Sequence, residues 1–412
     1  MRQIDELDEL ARPYAHALVT ALKNEGKLSS SQVESAFKHV PRHPFIDHFF
    51  LLETRDRTMQ WRHVQPSSVA DADAWLRAIY SNCPVITAYD EYNTPTSSSS
   101  SPDAMAFMLE AAQLHPGLRV LEIGTGTGYN AALLAHVLGD PRHVFTIEID
   151  PALAQRAQHR LDLVAGEGIT VHAGDGLHGL AAGAPYARII ATGSYYKVPL
   201  AWLDQLQTGG IIVMNLRGHL GAGAFLKVVK VGPRRAASGI LLAGSDFMEL
   251  QDSDTPSRNV TDLVSQYAGR AVTAQAPCTQ SDFDPSLLWD HRLEFLLQLS
   301  FPQMYFTSIG LNPMLPCLID LESDTMLVFR PTGQTGEWIV EIRGQPHTWQ
   351  KLARVYRLWA ETGAPDVSAY LLDIDDAGQQ SVTLASKDGQ RVHTWTLHQG
   401  TCLDRQAHGK QY

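Results

Sequence analysis

Val120-Leu121-Glu122-Ile123-Gly124-Thr125-Gly126-Thr127-Gly128-Tyr129 decides the fold. An apolar strand runs into a turn with glycine at every second position, and Asn130-Ala131-Ala132-Leu133-Leu134-Ala135-His136-Val137-Leu138 follows as a helix. Glycine supplies positive φ and lets a ligand approach the backbone with no Cβ in the way. A strand, a glycine turn and a helix N-terminus together cradle the polar part of a nucleotide-like cofactor. The turn by itself leaves the cofactor open.

Downstream the chain alternates strand and helix, which predicts a parallel, doubly wound α/β sheet. Val144 to Ile149 reads as a strand whose acid, Glu148, is placed to accept from both hydroxyls of a ribose. Pro151 to Leu161 reads as a helix, and Ile169 to His172 as a third strand leading into Gly174-Asp175-Gly176. An acid at that strand end reaches an adenine amino group; a helix N-cap is the competing role for either acid. Tyr186 to Gly193, Gly209 to Met214 and Phe225 to Val231 supply further strands, Pro199 to Leu206 a helix, and a segment near Phe247-Met248 completes the sheet. A dinucleotide oxidoreductase would carry its third glycine inside the helix. Here the third, Gly128, comes two residues after Gly126, and Tyr follows. That pattern favours S-adenosyl-L-methionine, with S-adenosyl-L-homocysteine as product.

Upstream, Leu7, Leu10, Tyr14, Leu18 and Leu22 recur at helical spacing, and Ser29-Ser30-Ser31 marks a second helix start before Val33, Ala36 and Phe37. Val40-Pro41-Arg42-His43-Pro44-Phe45 predicts an extended turn presenting Arg42 and His43; a helix terminator with a surface arginine is the plainer alternative. Pro84 to Tyr89 reads as a strand. Five serines, Ser97 to Ser101, precede Pro102 and a helix through Met105, Met108 and Leu109. As composition the run is a tether, but its tight flanks predict a loop packed over the cofactor, with hydroxyls free to cap the helix or hold a carboxylate.

The chain has 412 residues and a formal charge of -11, which argues against nucleic acid or an anionic membrane as the main partner. Its four cysteines are scattered without metal-ligand spacing, so free thiols in a reducing compartment and no metal site are expected. The acidic N-terminus lacks an apolar signal core, and a cytoplasmic location follows as the expectation.

Six segments in matching order, from about residue 5 to about residue 250, resemble the protein-L-isoaspartate O-methyltransferases. They are Leu121 to Tyr129, Thr146-Ile147-Glu148, Gly174-Asp175-Gly176, Ala184 to Ile190, the Val40 to Phe45 turn and Gln207 to Gly210. The resemblance implies a class I methyltransferase, Rossmann-like domain over 85–250. A helical, substrate-side segment would occupy 1–84; residues 251–412, which the resemblance does not cover, read as a C-terminal α+β accessory domain, either an ordinary core or a docking domain for a peptide. The resemblance implies that Glu122, Gly124, Thr125, Gly126, Gly128, Glu148, Ile149, Asp175 and Gly176 hold the cofactor. The family's Thr-Ile-Ser-x-Pro loop falls on Ser98 to Pro102, so Ser100 takes the active-site hydroxyl, assisted by Ser99 and Ser101. Ser98, Arg42 and His43 become substrate contacts.

The chain departs from that family in the serine loop and in its extension of roughly 160 residues. In the extension a charged linker near Gln251 to Arg258 precedes a helix at Leu287 to Leu299. Strands at Met326 to Phe329, Trp338 to Ile342, Tyr370 to Ile374 and Val392 to Leu397 flank an amphipathic helix bearing Trp349, Leu352, Val355, Tyr356 and Trp359. These departures are similar to a branch that methylates a genuine aspartate in a ribosomally made, modified precursor peptide, the ester then closing to an aspartimide that can open to isoaspartate. Two alternatives stand beside it: an isoaspartyl protein repair enzyme, and a non-catalytic adaptor that keeps a cofactor pocket.

Overall fold

The computed structural model describes residues 2–55, 58–66, 72–91, 94–250, 260–310, 313–386 and 388–397. Two helices open the chain, α1 (Arg2–Asn24) and α2 (Ser31–His39). Ser30 caps α2 by accepting from the Val33 amide, and Val33, Ala36 and Phe37 bury its inner face. The Pro-Arg-His-Pro turn is not extended: His43–Phe45 forms one turn of 3-10 helix.

Strands β1 (Phe49–Arg55) and β2 (Thr58–Val64) form a hairpin, and α3 (Ala72–Ile79) follows. Strands β3 (Val85–Tyr89) and β4 (Pro95–Ser99) complete a four-stranded sheet in the order β2-β1-β3-β4. Most of the serine run is therefore strand, where a loop was expected. Pairing of Ile86 with Ser98 and Val85 with Ser99 supplies the order that its composition does not announce. Helix α4 (Pro102–Ala111) starts directly after it. Ser101 stands at the N-cap, but its hydroxyl makes no capping bond; Pro102 fills the first helical position, where the missing amide costs nothing.

The central sheet is built from β5 (Val120–Ile123), α5 (Tyr129–Leu138), β6 (Val144–Glu148), α6 (Pro151–Val164), β7 (Thr170–Ala173) and β8 (Tyr186–Tyr195). Helix α7 (Leu200–Gln205) and strands β9 (Leu206–Arg217), β10 (Gly223–Lys230) and β11 (Ala237–Ser245) continue it. Strands β6 and β8 flank β5 in parallel register, so the strand order reverses at β5 and opens a crevice beyond its carboxyl end. The strand after β10 is Ala237–Ser245 and not the predicted segment near Phe247-Met248, which makes only a bridge from Glu249 to Ser194.

The extension adds α8 (Val260–Ala268), β12 (Ala274–Thr279), α9 (His291–Ser300), β13 (Met304–Ile309), β14 (Leu315–Asp320), β15 (Thr325–Pro331), β16 (Glu337–Arg343) and α10 (Pro346–Glu361). Strands β12 to β16 form an antiparallel sheet of their own. The last strands, β17 (Tyr370–Ile374), β18 (Gln380–Ala385) and β19 (Arg391–Leu397), do not. They pair onto β11 and extend the central sheet to ten strands. Neither expected boundary is a break: β3 and β4 lie beyond residue 84 yet belong to the N-terminal sheet, and the central sheet crosses residue 250. One apolar core joins Trp202, Ile212 and Leu226 with Phe295, Phe329 and Leu352. Three of the five C-terminal tryptophans, Trp349, Trp359 and Trp395, are buried in it as ordinary core, whereas Trp289 is 74% exposed. Cys278 and Cys317 are buried free thiols and Cys83 is an exposed one. The charged linker near Gln251 to Arg258 and Cys402 lie outside the described residues. Among the described residues no helix is long and apolar enough to cross a membrane.

Candidate active site

The glycine turn follows the carboxyl end of β5. Gly124, Gly126 and Gly128 have φ of +89°, +53° and +91°, a region that side chains disfavour. A Cβ on Gly124 would stand 2.8 Å from Thr192 Oγ1, and one on Gly126 3.2 Å from the Ser98 carbonyl oxygen. The turn is thus pressed between β8, at Thr192, and strand β4. Thr192 Oγ1 holds it by donating to the Gly124 carbonyl at 2.7 Å, and the Gly124 amide donates to the Ile147 carbonyl at 2.9 Å.

A cleft opens here, walled by Ser98, Gly124, Glu148, Ile149, Gly176 and Leu250 among others. Glu148 is 8% exposed; its carboxylate accepts from the Gly126 amide at 2.8 Å and from the Asp150 amide at 3.2 Å. Burial raises its pKa above the ordinary carboxylate range, and those amides oppose the rise. Glu122 is fully buried beneath the turn instead of lining the cleft. Asn130 Nδ2 and Thr146 Oγ1 donate to its two oxygens at 2.8 and 2.6 Å, while burial pushes it up to about 7. Thr125 joins this network through Thr146 at 2.7 Å. Gly128 also sits behind the cleft, against Leu161 and Ala157. Asp175 takes the capping role: its carboxylate accepts from the Leu177 amide at 2.8 Å and starts a 3-10 turn, while Gly176 beside it faces the cleft.

The serine strand divides by alternation. Ser97 Oγ accepts from Thr87 Oγ1 and Ser99 Oγ from Arg42, both on the buried face. All of Ser97 to Ser100 line the cleft, but among the described residues no hydrogen bond occupies the hydroxyls of Ser98 and Ser100. Ser101 does not reach it.

Arg42 and His43 correct the sequence reading, because both are buried and neither lines the cleft. Arg42 is 0% exposed, and its guanidinium donates to the carbonyls of Ile79, Ser81, Cys83, Ser99 and Ser100 and to the Ser99 hydroxyl. Burial pulls its pKa down to about 10. His43 is 4% exposed, held between the Tyr80 hydroxyl at 2.8 Å and Asp8 at 2.9 Å. The turn is a fastener for β4.

Several lining residues escaped the sequence reading. Thr192 and Asn130 were legible in principle, as a hydroxyl ending the strand beside β5 and a polar residue on the first turn of α5. Met248, Glu249 and Leu250 reach the cleft through backbone bonds between Ser194 and residues 248 and 250, which leave no pattern in the sequence.

The residues fit the expected cofactor. Asn130 Oδ1 is a buried acceptor in the cleft wall with no partner among the described residues, suited to an ammonium. The open backbone of Gly124 and Gly126 and the carboxylate of Glu148 complete a polar cradle. Fold and cradle define a class I, S-adenosylmethionine-dependent methyltransferase. The profile described as protein-L-isoaspartate(D-aspartate) O-methyltransferase (PCMT) matches residues 14–231, more than half of the chain. The chain belongs to that family, whose members are enzymes of the carboxyl methyltransferase type.

Among its relatives, the protein-L-isoaspartate O-methyltransferase of Ignicoccus hospitalis is 42% identical over 146 residues, covering 35% of this chain and 69% of the relative. The enzyme of the same name from Pyrobaculum neutrophilum is 31% identical over 244 residues, 58% of this chain and its own full length. A solved structure of a protein-L-isoaspartate O-methyltransferase superposes with a TM-score of 0.50 at 20% identity, covering 90% of this chain and 99% of that one. This likeness concerns the fold.

Proposed function

We propose that the chain methylates the side-chain carboxylate of an L-isoaspartyl residue in a protein or peptide. The observation that carries this reading is the pair of unoccupied hydroxyls, Ser98 and Ser100, set over the glycine turn by a strand that Arg42 anchors. A carboxylate is ionised at neutral pH, its ordinary pKa being about 4, so the acceptor needs no general base. It needs placement and exclusion of water. The hydroxyls of Ser98 and Ser100 donate to the acceptor oxygens. Glu148 holds the ribose, Asn130 Oδ1 takes the ammonium of the amino-acid end above the Cβ-free glycine turn, and the Asp175–Gly176 turn borders the adenine. S-adenosylmethionine supplies an electrophilic methyl group on a sulfonium.

The relatives named above support the isoaspartyl acceptor over a genuine aspartate in a ribosomally made peptide, the reading that the serine run and the extension suggest by themselves. An isoaspartyl peptide and its aspartyl twin, each incubated with the protein and labelled S-adenosylmethionine, separate the two. Label in the isoaspartyl peptide alone is expected. Label in the aspartyl twin alone overturns the proposal in favour of the specialised peptide reading, and label in neither removes both.

A further inference from the structure

The sheet β2-β1-β3-β4 has two unlike faces. Phe49, Val85, Ser97 and Ser99 are buried on one. On the other, strand pairing sets His63, Phe50, Ile86 and Ser98 in one cross-strand row. Phe50 pairs with both His63 and Ile86, and Ile86 pairs with Ser98. Tyr89 stands edge-on to Phe50 with ring centres 4.8 Å apart and stacks on Trp61 at 5.6 Å. His63 lies 5.3 Å from the rings of both Phe50 and His48. Leu52, opposite Trp61, is 47% exposed and Tyr89 is 37% exposed. The strip of rings is open to solvent along one side, and its inner end, Ser98, is a wall of the cleft.

We propose that this aromatic strip docks the acceptor polypeptide on one side of the methylated residue and selects apolar or aromatic flanking side chains. The proposal rests on the carboxyl-methylation reading above. Its warrant is continuity: one row of paired residues leads from the hydroxyl wall outward, so a chain entering the cleft must cross the strip or leave on the opposite side. Strands lie about 4.8 Å apart, which puts His63 roughly 14 Å from Ser98, the span of about four extended residues. Rings of Tyr, Trp, Phe and His give a broad, rigid contact at low entropic cost and tolerate varied partners.

The test is steady-state kinetics on the full chain with three acceptors: an isoaspartyl tripeptide, a peptide of about ten residues with Leu and Phe about four positions to either side of the isoaspartate, and its serine-flanked twin. The apolar-flanked peptide should show a KM about fivefold or more below that of its twin. Tyr89→Ala and Leu52→Asp should each erase that difference, with kcat moving less than about twofold and the tripeptide KM holding. Equal KM for the two long peptides, or a loss that falls equally on the tripeptide, overturns the proposal. Should none of the three be methylated, the acceptor reading fails, and the docking proposal is judged by fluorescence anisotropy of the two labelled long peptides. Equal affinities there overturn it, and tighter binding of the apolar-flanked peptide that Tyr89→Ala abolishes sustains it.

Discussion

Arg42 grips Ser99 three times, from Nε to the hydroxyl at 3.3 Å and from Nη2 to the hydroxyl and the carbonyl at 3.2 Å each. The same guanidinium reaches the Ile79 carbonyl at 2.6 Å and the Ser100 carbonyl at 2.9 Å, so it ties α3 to the serine strand. Among the described residues its partners are carbonyls and one hydroxyl, with no carboxylate. Arg42→Met removes the donor to the buried carbonyls of Ile79 and Ser99, each at about 1–3 kcal/mol, and a loss of about 2 kcal/mol or more in urea unfolding is expected. Arg42→Lys should not restore it, because one ammonium cannot span acceptors on two sides of a planar fork. Wild-type stability in either variant would show that the strand does not depend on this anchor.

Ser100→Ala removes an open hydroxyl from the cleft and nothing from the fold. Methyl transfer should fall about tenfold or more, close to 1.4 kcal/mol, while the S-adenosylmethionine Kd stays nearly constant. Ser99→Ala should behave differently, since its hydroxyl serves Arg42: lower stability with a smaller change in acceptor KM. Isothermal titration of the cofactor, run beside the kinetics, separates the roles. An equal loss of cofactor binding in Ser100→Ala would remove it from the acceptor site.

The glycine turn, the acid ending β6 and the alternation from 120 to 217 were legible because each is local. Positive φ demands glycine, and buried parallel strands read as apolar runs. The serine run was legible as a covering element but not as a strand, since serine has little strand preference and β4 exists only through its pairing with β3. Arg42 was read outward because arginine is seldom fully buried. Only the fold brings five carbonyls around it. The expected domain boundaries failed for a similar reason: β17 joins β11 across more than a hundred residues of sequence, and the separation leaves no local trace.

Glu148 is bonded to the Gly126 amide at 2.8 Å, which places its carboxylate at the centre of the turn. Glu148→Ala therefore removes a brace of the glycine loop and, on the proposed function, the ribose acceptor. The cofactor Kd should rise by about tenfold or more, while acceptor KM at saturating cofactor changes little. An unchanged Kd in calorimetric titration would take Glu148 out of the ribose position.

Glu122 gives the pH dependence. Burial lifts its folded pKa to about 7, whereas an unfolded glutamate titrates near 4.3. Between those values the folded chain keeps a proton that the unfolded chain has released, so stability from this group falls as pH rises through that window and is level on either side. At about 1.4 kcal/mol per unit the fall is at most about 3–4 kcal/mol, the bonds from Asn130 and Thr146 having already held the folded value down against burial. Glu122→Gln keeps the shape and cannot ionise. Its stability relative to wild type should therefore rise from pH 5 to pH 8, by roughly 1–3 kcal/mol. Urea titrations at the two pH values decide it. A difference independent of pH would mean that Glu122 stays ionised throughout, with the Asn130 and Thr146 bonds outweighing the cost of burying its charge.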